Sequence, residues 1–397
     1  MSKNLSIKIL VAIIAGSVFG LILGPRASSV KFLGDVFIRL LKMIIVPLIL
    51  ASMITGVMSI GDMRKLGRIG IKTLAYYLAT TGLAVFVGLV LVLAIRPGSS
   101  FVRDVQSQVH QEVPAVSLAD TLINIIPDNP FRSLVEMNVL SIIAFSLLFG
   151  ITLTRIGEKG NVIRDFFVGL NETMMLITHL IMNLAPFGVF GLMADVIGRM
   201  GLSVILPMVK YMTTVTLGLL IHGGIVLPLI LYVFSKRNPF VYFKQVSAAV
   251  FTAFSTASSA ATIPVTMECV EENAGISPET ASFVLPLGAT INMDGTALLE
   301  AVAATFIAQI NAIQFSGAQL LIVFLTSTLA SIGAAAIPGA GLITIAIVLK
   351  AVGLPLEDIG LVLAVDRILD MMRTGVNVWG DSIGCAVVDS GKNGVQV

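Results

Sequence analysis

Apolar stretches of roughly 20 residues, the length a helix needs to cross a bilayer, recur along almost the whole of this 397-residue chain. Such a chain must satisfy its backbone N–H and C=O groups without water, so the sequence predicts an all-α integral membrane protein whose spans are its body. The charge content agrees, with 12% of residues charged against 56% hydrophobic, where a soluble chain carries about a quarter charged. No soluble domain of ordinary size fits in what remains. Ile7 to Leu23, preceded by Lys3 and overlapping Lys8, has the outline of a signal peptide, but it lacks a convincing small-residue cleavage site and leads into another span. It is expected to be a retained first helix. Cys269 and Cys385 make neither a disulfide framework nor a metal-ligand spacing. A net charge of +2, with no basic cluster interleaved with aromatics, gives no sign of nucleic acid as a partner.

Positive charges collect in Arg64-Lys65-Arg68-Lys72, in Arg155-Lys159-Arg164 and in Lys236-Arg237-Lys244. The positive-inside rule assigns these turns and the N-terminus to the cytoplasm. The loop from Pro97 to Pro130, with Asp104, Glu112, Asp120 and Asp128, falls outside. Six conventional spans are expected near 6–24, 33–60, 70–95, 133–154, 163–197 and 203–235.

After Lys244 the apolar runs are interrupted where a simple span would not be. Ser255 to Ala261 reads Ser-Thr-Ala-Ser-Ser-Ala-Ala, and Ser331 to Gly341 reads Ser-Ile-Gly-Ala-Ala-Ala-Ile-Pro-Gly-Ala-Gly. Each is followed by a return leg and then by a span with its own polar interruption, Asn292-Met293-Asp294-Gly295-Thr296 in one case and Asp366 to Asp381 in the other. Matched broken segments are the signature of an inverted repeat with its binding site near the membrane midplane. Two re-entrant hairpins, roughly 242–272 and 318–352, are therefore expected. Small residues for close helix packing are the alternative, but Pro338 and three glycines sit poorly inside one helix.

Along the last span Asp366, Asp370, Arg373, Asn377 and Asp381 follow at steps of four, three, four and four, a sector of about 80° on a helix. Arg367 borders it. Each ionisable group near the membrane centre costs on the order of 3 kcal/mol, so these groups must face one another, water or a ligand. A structural ion-pair network is one reading. The other follows from the arithmetic of sign: three aspartates against two arginines leave one negative charge and Asp294 adds another, so cations are needed. Asn292, Asp294, Asn377 and Asp381, with the carbonyls of unwound helix, suit a hard monovalent cation. Tyr77, Thr80 and Thr81 form a further polar group in the third span, although threonines in a membrane helix often bond only their own backbone. The planar guanidinium of Arg373 suits a carboxylate, and Asp370 an ammonium group. Together they complement an amino acid with an acidic side chain.

The Asn292–Thr296 run, the serine-rich tip at Ser255–Thr262, the Gly339–Gly341 tip and Asp370-x-x-Arg373-Thr374-x-x-Asn377-x-x-x-Asp381 resemble the glutamate transporter family, the dicarboxylate/amino acid:cation symporters. The resemblance covers essentially the whole chain, with the motifs in order. It implies eight transmembrane helices plus two re-entrant helical hairpins, a homotrimer in the cell membrane, and an elevator motion. Scaffold helices one and two would occupy 1–69, helix three of the transport domain 70–96, an external loop 97–132, scaffold helices four and five 133–200, and the rest of the transport domain 201–397. The second hairpin would be the outer gate.

Residue by residue, the resemblance implies that Arg373 holds the substrate's side-chain carboxylate and Asp370 its amino group. Ser259, Thr296, Thr374, Asn377 and the backbone from Ile337 to Gly341 would hold the rest. It implies sodium sites at Gly288, Asn292, Asn377 and Asp381; at the carbonyls of Thr290, Met293, Ser331, Ile332 and Ala334; and at Tyr77, Thr80, Thr81, Asn292 and Asp294. The chain departs from the pattern in two places. Ala257 and Met371 stand where relatives carry an arginine, so Asp366 and Arg367 are candidates for charge compensation. Glu300 stands where archaeal relatives have glutamine, and an intramembrane glutamate can take up a proton for transport. No cofactor is implied beyond co-transported Na⁺ and/or H⁺, and the partners are an acidic amino acid and the lipid bilayer.

Within the resemblance Asp370 favours acidic amino acids over C4-dicarboxylates, which offer it no ammonium. Outside it, a channel and an intramembrane aspartyl protease built on Asp294 and Asp381 are the rival readings. Accumulation of labelled substrate against its gradient separates a carrier from both. His110 falls in the external loop; His179 and His222 lie in different spans with no partner at ligand spacing. The lone Trp379 is expected to be packing, as are the 17 methionines.

Overall fold

The computed structural model of the chain describes residues 3–63, 68–99, 123, 126–332, 340–356 and 358–390, and among them every regular element is helical. The elements are α1 (Lys3–Leu23), α2 (Lys31–Met63), α3 (Arg68–Ile95), α4 (Pro130–Glu136), α5 (Val139–Arg155), α6 (Asn161–Met200) and α7 (Ile205–Ile221). A π turn, His222–Val226, carries α7 into α8 (Leu227–Ser235). Then come α9 (Pro239–Thr256), α10 (Ser259–Glu268), α11 (Pro278–Ile291), α12 (Asp294–Ile310), α13 (Gly317–Ile332), α14 (Ala340–Ala351) and α15 (Ile359–Ser390). The expected basic pair Arg64-Lys65, most of the external loop with His110, and the second tip with Ala334 and Ile337 lie outside the described residues.

Three helix starts share one local cause. Asn129, Asn238 and Ser277 each stand in extended backbone before a proline, and their side chains accept hydrogen bonds from the first free amides of α4, α9 and α11. Proline at the first helical position needs no donor partner, and the side-chain oxygen satisfies the donors behind it.

Five runs are long and apolar enough to cross a membrane: Val11–Met58, Ile69–Ile95, Gly157–Arg199, Ile205–Ser235 and Pro278–Ile310. The first of these is broken by the 3-10 stretch Gly24–Val30 into α1 and α2. Helix α15 is 32 residues long but carries too much charge to join them. On one side of the molecule α6 packs against α1 and α2, and α5 against α2. Glycines set the spacing there: a Cβ on Gly20 would come 2.7 Å from the Ala194 carbonyl, and one on Gly191 would come 2.7 Å from the Val30 carbonyl. Small residues let membrane helices approach closely. On the other side α3, α7, α13, α14 and α15 surround α12, all of which is buried except Gln309.

The expected breaks are observed where the structure describes them. Helix α9 ends at Ala257, which adopts the left-handed φ of +50°, and α10 starts at Ser259 with Ser258 Oγ accepting from Ala261 N. Helix α11 ends at Ile291, and Asn292 and Met293 are non-helical (φ/ψ −86/89 and −118/47) before α12 resumes at Asp294. Helix α15 is continuous from Ile359 to Ser390, so its polar residues do share one face.

Candidate functional site

The break between α11 and α12 is where the polar side chains converge. Asn292 Nδ2 donates to Asp381 Oδ1 at 2.9 Å, and Thr80 Oγ donates to Asn292 Oδ1 at 3.4 Å. Asp294 accepts from Thr81 Oγ on one carboxylate oxygen (2.7 Å), while its other oxygen lies 2.9 Å from His222 Nε2. The first amides of α12 lack intrahelical partners, and Asn377 answers one of them by accepting from Gly295 N at 2.8 Å. Asn377 Nδ2 faces Met293 Sδ (3.4 Å) and Thr296 Oγ (3.5 Å).

This approach of α15 to the break is possible only because the facing residues are glycines. A Cβ on Gly295 would come 2.7 Å from the Arg373 carbonyl, and one on Gly380 would come 2.8 Å from Asn292 Nδ2. A Cβ on Gly288 would collide with Asp381 Oδ1 and the Tyr77 hydroxyl. That hydroxyl donates to the Val284 carbonyl at 2.9 Å, holding α3 to α11.

One turn away, Arg373 Nε and Nη2 both donate to Asp370 Oδ1, at 2.9 and 2.8 Å. Nη1 is buried without a partner among the described residues and faces Gly341. Thr374 Oγ donates back to the Asp370 carbonyl at 2.7 Å. On α12, Glu300 is fully buried, and neither carboxyl oxygen has a hydrogen-bond partner among the described residues. Asp294, Glu300, Asp366, Asp370 and Asp381 are buried on α12 and α15 around the break and Arg373. Arg373 and His222 are the buried basic side chains among the described residues. Burial of charge is tolerated only with compensation.

The structure brings together Thr80, Thr81, Asn292 and Asp294 from one expected set, Gly288, Asn292, Asn377 and Asp381 from a second, and Asp370, Arg373, Thr374 and Gly341 from the larger substrate set. Thr296 and Met293 join the second through Asn377. Ser259 is buried at the first position of α10, and Ser331 and Ile332 are buried at the end of α13. Thr290 is exposed, its hydroxyl turned to the Pro286 carbonyl. Asp366 is buried on α15, and Arg367 follows it on the same helix.

Two residues expected to be bland are not. His222 does have a partner, Asp294, in a helix 72 positions further on, which no spacing rule along the chain can register. Trp379 does more than pack, since its Nε1 donates to the Gly223 carbonyl at 2.9 Å. A single histidine followed by Gly-Gly inside an apolar run was the available signal for the first.

Helix breaks buried in protein, with amides, carboxylates and a guanidinium facing them inside a shell of apolar helices, define a multi-pass membrane carrier. Residues 5–390 match the model of the sodium:dicarboxylate symporter family, and the chain belongs to that family. It is 40% identical to human excitatory amino acid transporter 2, covering 94% of this chain and 77% of that one. It is 40% identical to an excitatory amino acid transporter of Caenorhabditis elegans (93% and 83%) and 38% identical to mouse excitatory amino acid transporter 3 (96% and 85%). The family and these relatives are transporters, and the protein is a carrier, not an enzyme.

Proposed function

We propose that the protein is a secondary active symporter that takes up glutamate or aspartate together with Na⁺, H⁺ or both. The observation that carries this reading is the buried guanidinium of Arg373, two of whose nitrogens are tied to Asp370 while Nη1 remains without a partner beside Gly341. A carboxylate is the group that a desolvated guanidinium edge binds best. Asp370, one helical turn before it, supplies the negative charge that an α-ammonium group needs. A C4-dicarboxylate has no ammonium group to offer Asp370, so acidic amino acids are preferred.

In this reading Ser259, Thr296, Thr374, Asn377 and the backbone from Ile337 to Gly341 complete the substrate pocket. Sodium ions occupy three places: Tyr77, Thr80, Thr81, Asn292 and Asp294; Gly288, Asn292, Asn377 and Asp381; and the carbonyls of Thr290, Met293, Ser331, Ile332 and Ala334. The hydrogen bonds among Thr80, Thr81, Asn292, Asp294 and Asp381 support the first two, because those oxygens already converge. Glu300 is the proton carrier, and Asp366 and Arg367 balance charge along α15. The finer architecture is eight crossing helices with two re-entrant hairpins, α9–α10 and α13–α14. The protein is a homotrimer in the cell membrane with the N-terminus cytoplasmic, and the second hairpin is the gate. Helices α1, α2, α5 and α6 form the scaffold along which the rest moves.

The test is uptake of labelled aspartate and glutamate into vesicles containing the purified protein, with sodium and pH gradients imposed separately. Accumulation against the gradient, competed by acidic amino acids and not by succinate, is the expected result. Equilibration without accumulation would sink the carrier reading, and equal competition by succinate would move the assignment to dicarboxylates.

A further inference from the structure

We infer that the π turn His222–Val226 is a positioning device for the cation pocket at Asp294, with His222 setting how tightly that pocket holds its cation. This rests on the symport reading above and adds to it a residue outside the pocket's expected ligands.

A π turn places one extra residue in a helix, which weakens the local hydrogen bonding and re-aims the side chains on either side of it; such turns persist where the re-aiming is useful. Here it does two things. It turns the His222 ring onto Asp294 Oδ2 at 2.9 Å, and it leaves the Gly223 carbonyl to accept from Trp379 Nε1 at 2.9 Å. The two bonds join the same turn to both halves of the pocket, since Asp294 opens α12 and Trp379 lies two residues before Asp381 on α15. The ring's other nitrogen, Nδ1, is buried with no partner among the described residues. The polar attachment of the ring is thus to Asp294.

A carboxylate only accepts, so Nε2 is the donor. Thr81 donates to the other oxygen of Asp294 at 2.7 Å. The two donors differ in kind. A hydroxyl can swing its proton away and turn a lone pair toward an arriving cation, so Thr81 can change from donor to ligand. The imidazole N–H has no such freedom, and it keeps Oδ2 tied to the protein while Oδ1 turns to the ion. His222 therefore fixes the angle of the carboxylate before the cation arrives, and the pocket loses less freedom on filling. As a positioning residue it needs an N–H at the Nε2 position and no change of charge.

The chain has one tryptophan, Trp379, so intrinsic fluorescence of the purified protein reports sodium binding without substrate. His222→Leu removes the donor and is expected to raise the half-saturating sodium concentration by about tenfold, both in fluorescence and in uptake. The KM for aspartate at saturating sodium should be unchanged. His222→Gln, whose amide reaches the Nε2 position, should stay within about threefold of the parent. An unaltered sodium titration in His222→Leu, or equal shifts in Leu and Gln, would overturn the inference. Should His222→Leu fail to fold, His222→Asn against His222→Gln decides the matter. The shorter amide cannot reach Asp294, so Asn must require more sodium than Gln, and equal values would overturn the idea. If the parent protein neither binds sodium nor couples to it, the sodium part of the symport reading fails first, and this inference fails with it.

Discussion

A methyl group on Gly341 would lie on Nη1 of Arg373, the nitrogen of that guanidinium with no partner among the described residues. The start of α14 is therefore shaped around the arginine. Gly341→Ala is expected to push the guanidinium off its present line and to raise the KM for aspartate by tenfold or more, since a displaced bidentate contact loses most of its strength. Uptake kinetics in vesicles measure it, and an unchanged KM would mean that Nη1 is not where the substrate docks.

Removing the guanidinium altogether should be more severe. Arg373→Ala abolishes acidic uptake and leaves Asp370 buried without its ion-pair partner. Arg373→Lys should not restore it, because an ammonium group cannot reproduce the planar fork. Neutral amino acids tested against the alanine variant provide the positive control: their gaining access would identify Arg373 as the selector of the side-chain carboxylate.

Glu300 has no hydrogen-bond partner among the described residues for either carboxyl oxygen, so Glu300→Gln preserves shape and should fold normally. If the carboxyl carries the proton, an imposed inward pH gradient drives uptake in the parent protein and not in the variant, while exchange of internal for external substrate persists. Identical responses to the pH gradient in both proteins would remove Glu300 from the mechanism.

Gly288 lies where a Cβ would strike Asp381 Oδ1 and the Tyr77 hydroxyl. Gly288→Ala should weaken sodium binding by about tenfold or more through displacement of that carboxylate, with a smaller effect on the maximal rate. Titration of uptake against sodium at fixed substrate checks this.

Away from the site, Gly188→Ala is a stability test. Its Cβ would come 2.5 Å from both Cβ and Cγ of Phe37, between α6 and α2, and such overpacking costs roughly 1–3 kcal/mol. Thermal unfolding in detergent should show a lower midpoint, with the sodium dependence of the surviving folded protein unaltered.

Much of this architecture was legible along the chain because its causes are local or periodic. Apolar length marks the spans, and the break at Asn292-Met293 shows as polar residues where a span should be apolar. The face shared by Asp366, Asp370, Arg373, Asn377 and Asp381 follows from helical spacing alone, and those residues are buried as the cost of exposing charge to lipid requires. Burial along α11 does not follow from the break in the same way, since Thr290 is exposed while Asn292, two positions on, is fully buried.

The sequence by itself determined that the chain lives in a membrane, that its helices break near Ala257 and at Asn292-Met293, and which residues carry charge to one face. Tertiary structure alone decided the partners: that Thr81 and His222 share Asp294, that Asn292 reaches Asp381, and that Trp379 holds the π turn. The reason is physical. Helix register and the cost of burying polar groups act over a few neighbouring residues, whereas these bonds join positions 72 to 213 apart in the chain, and their geometry exists only once glycine seams have let the helices close.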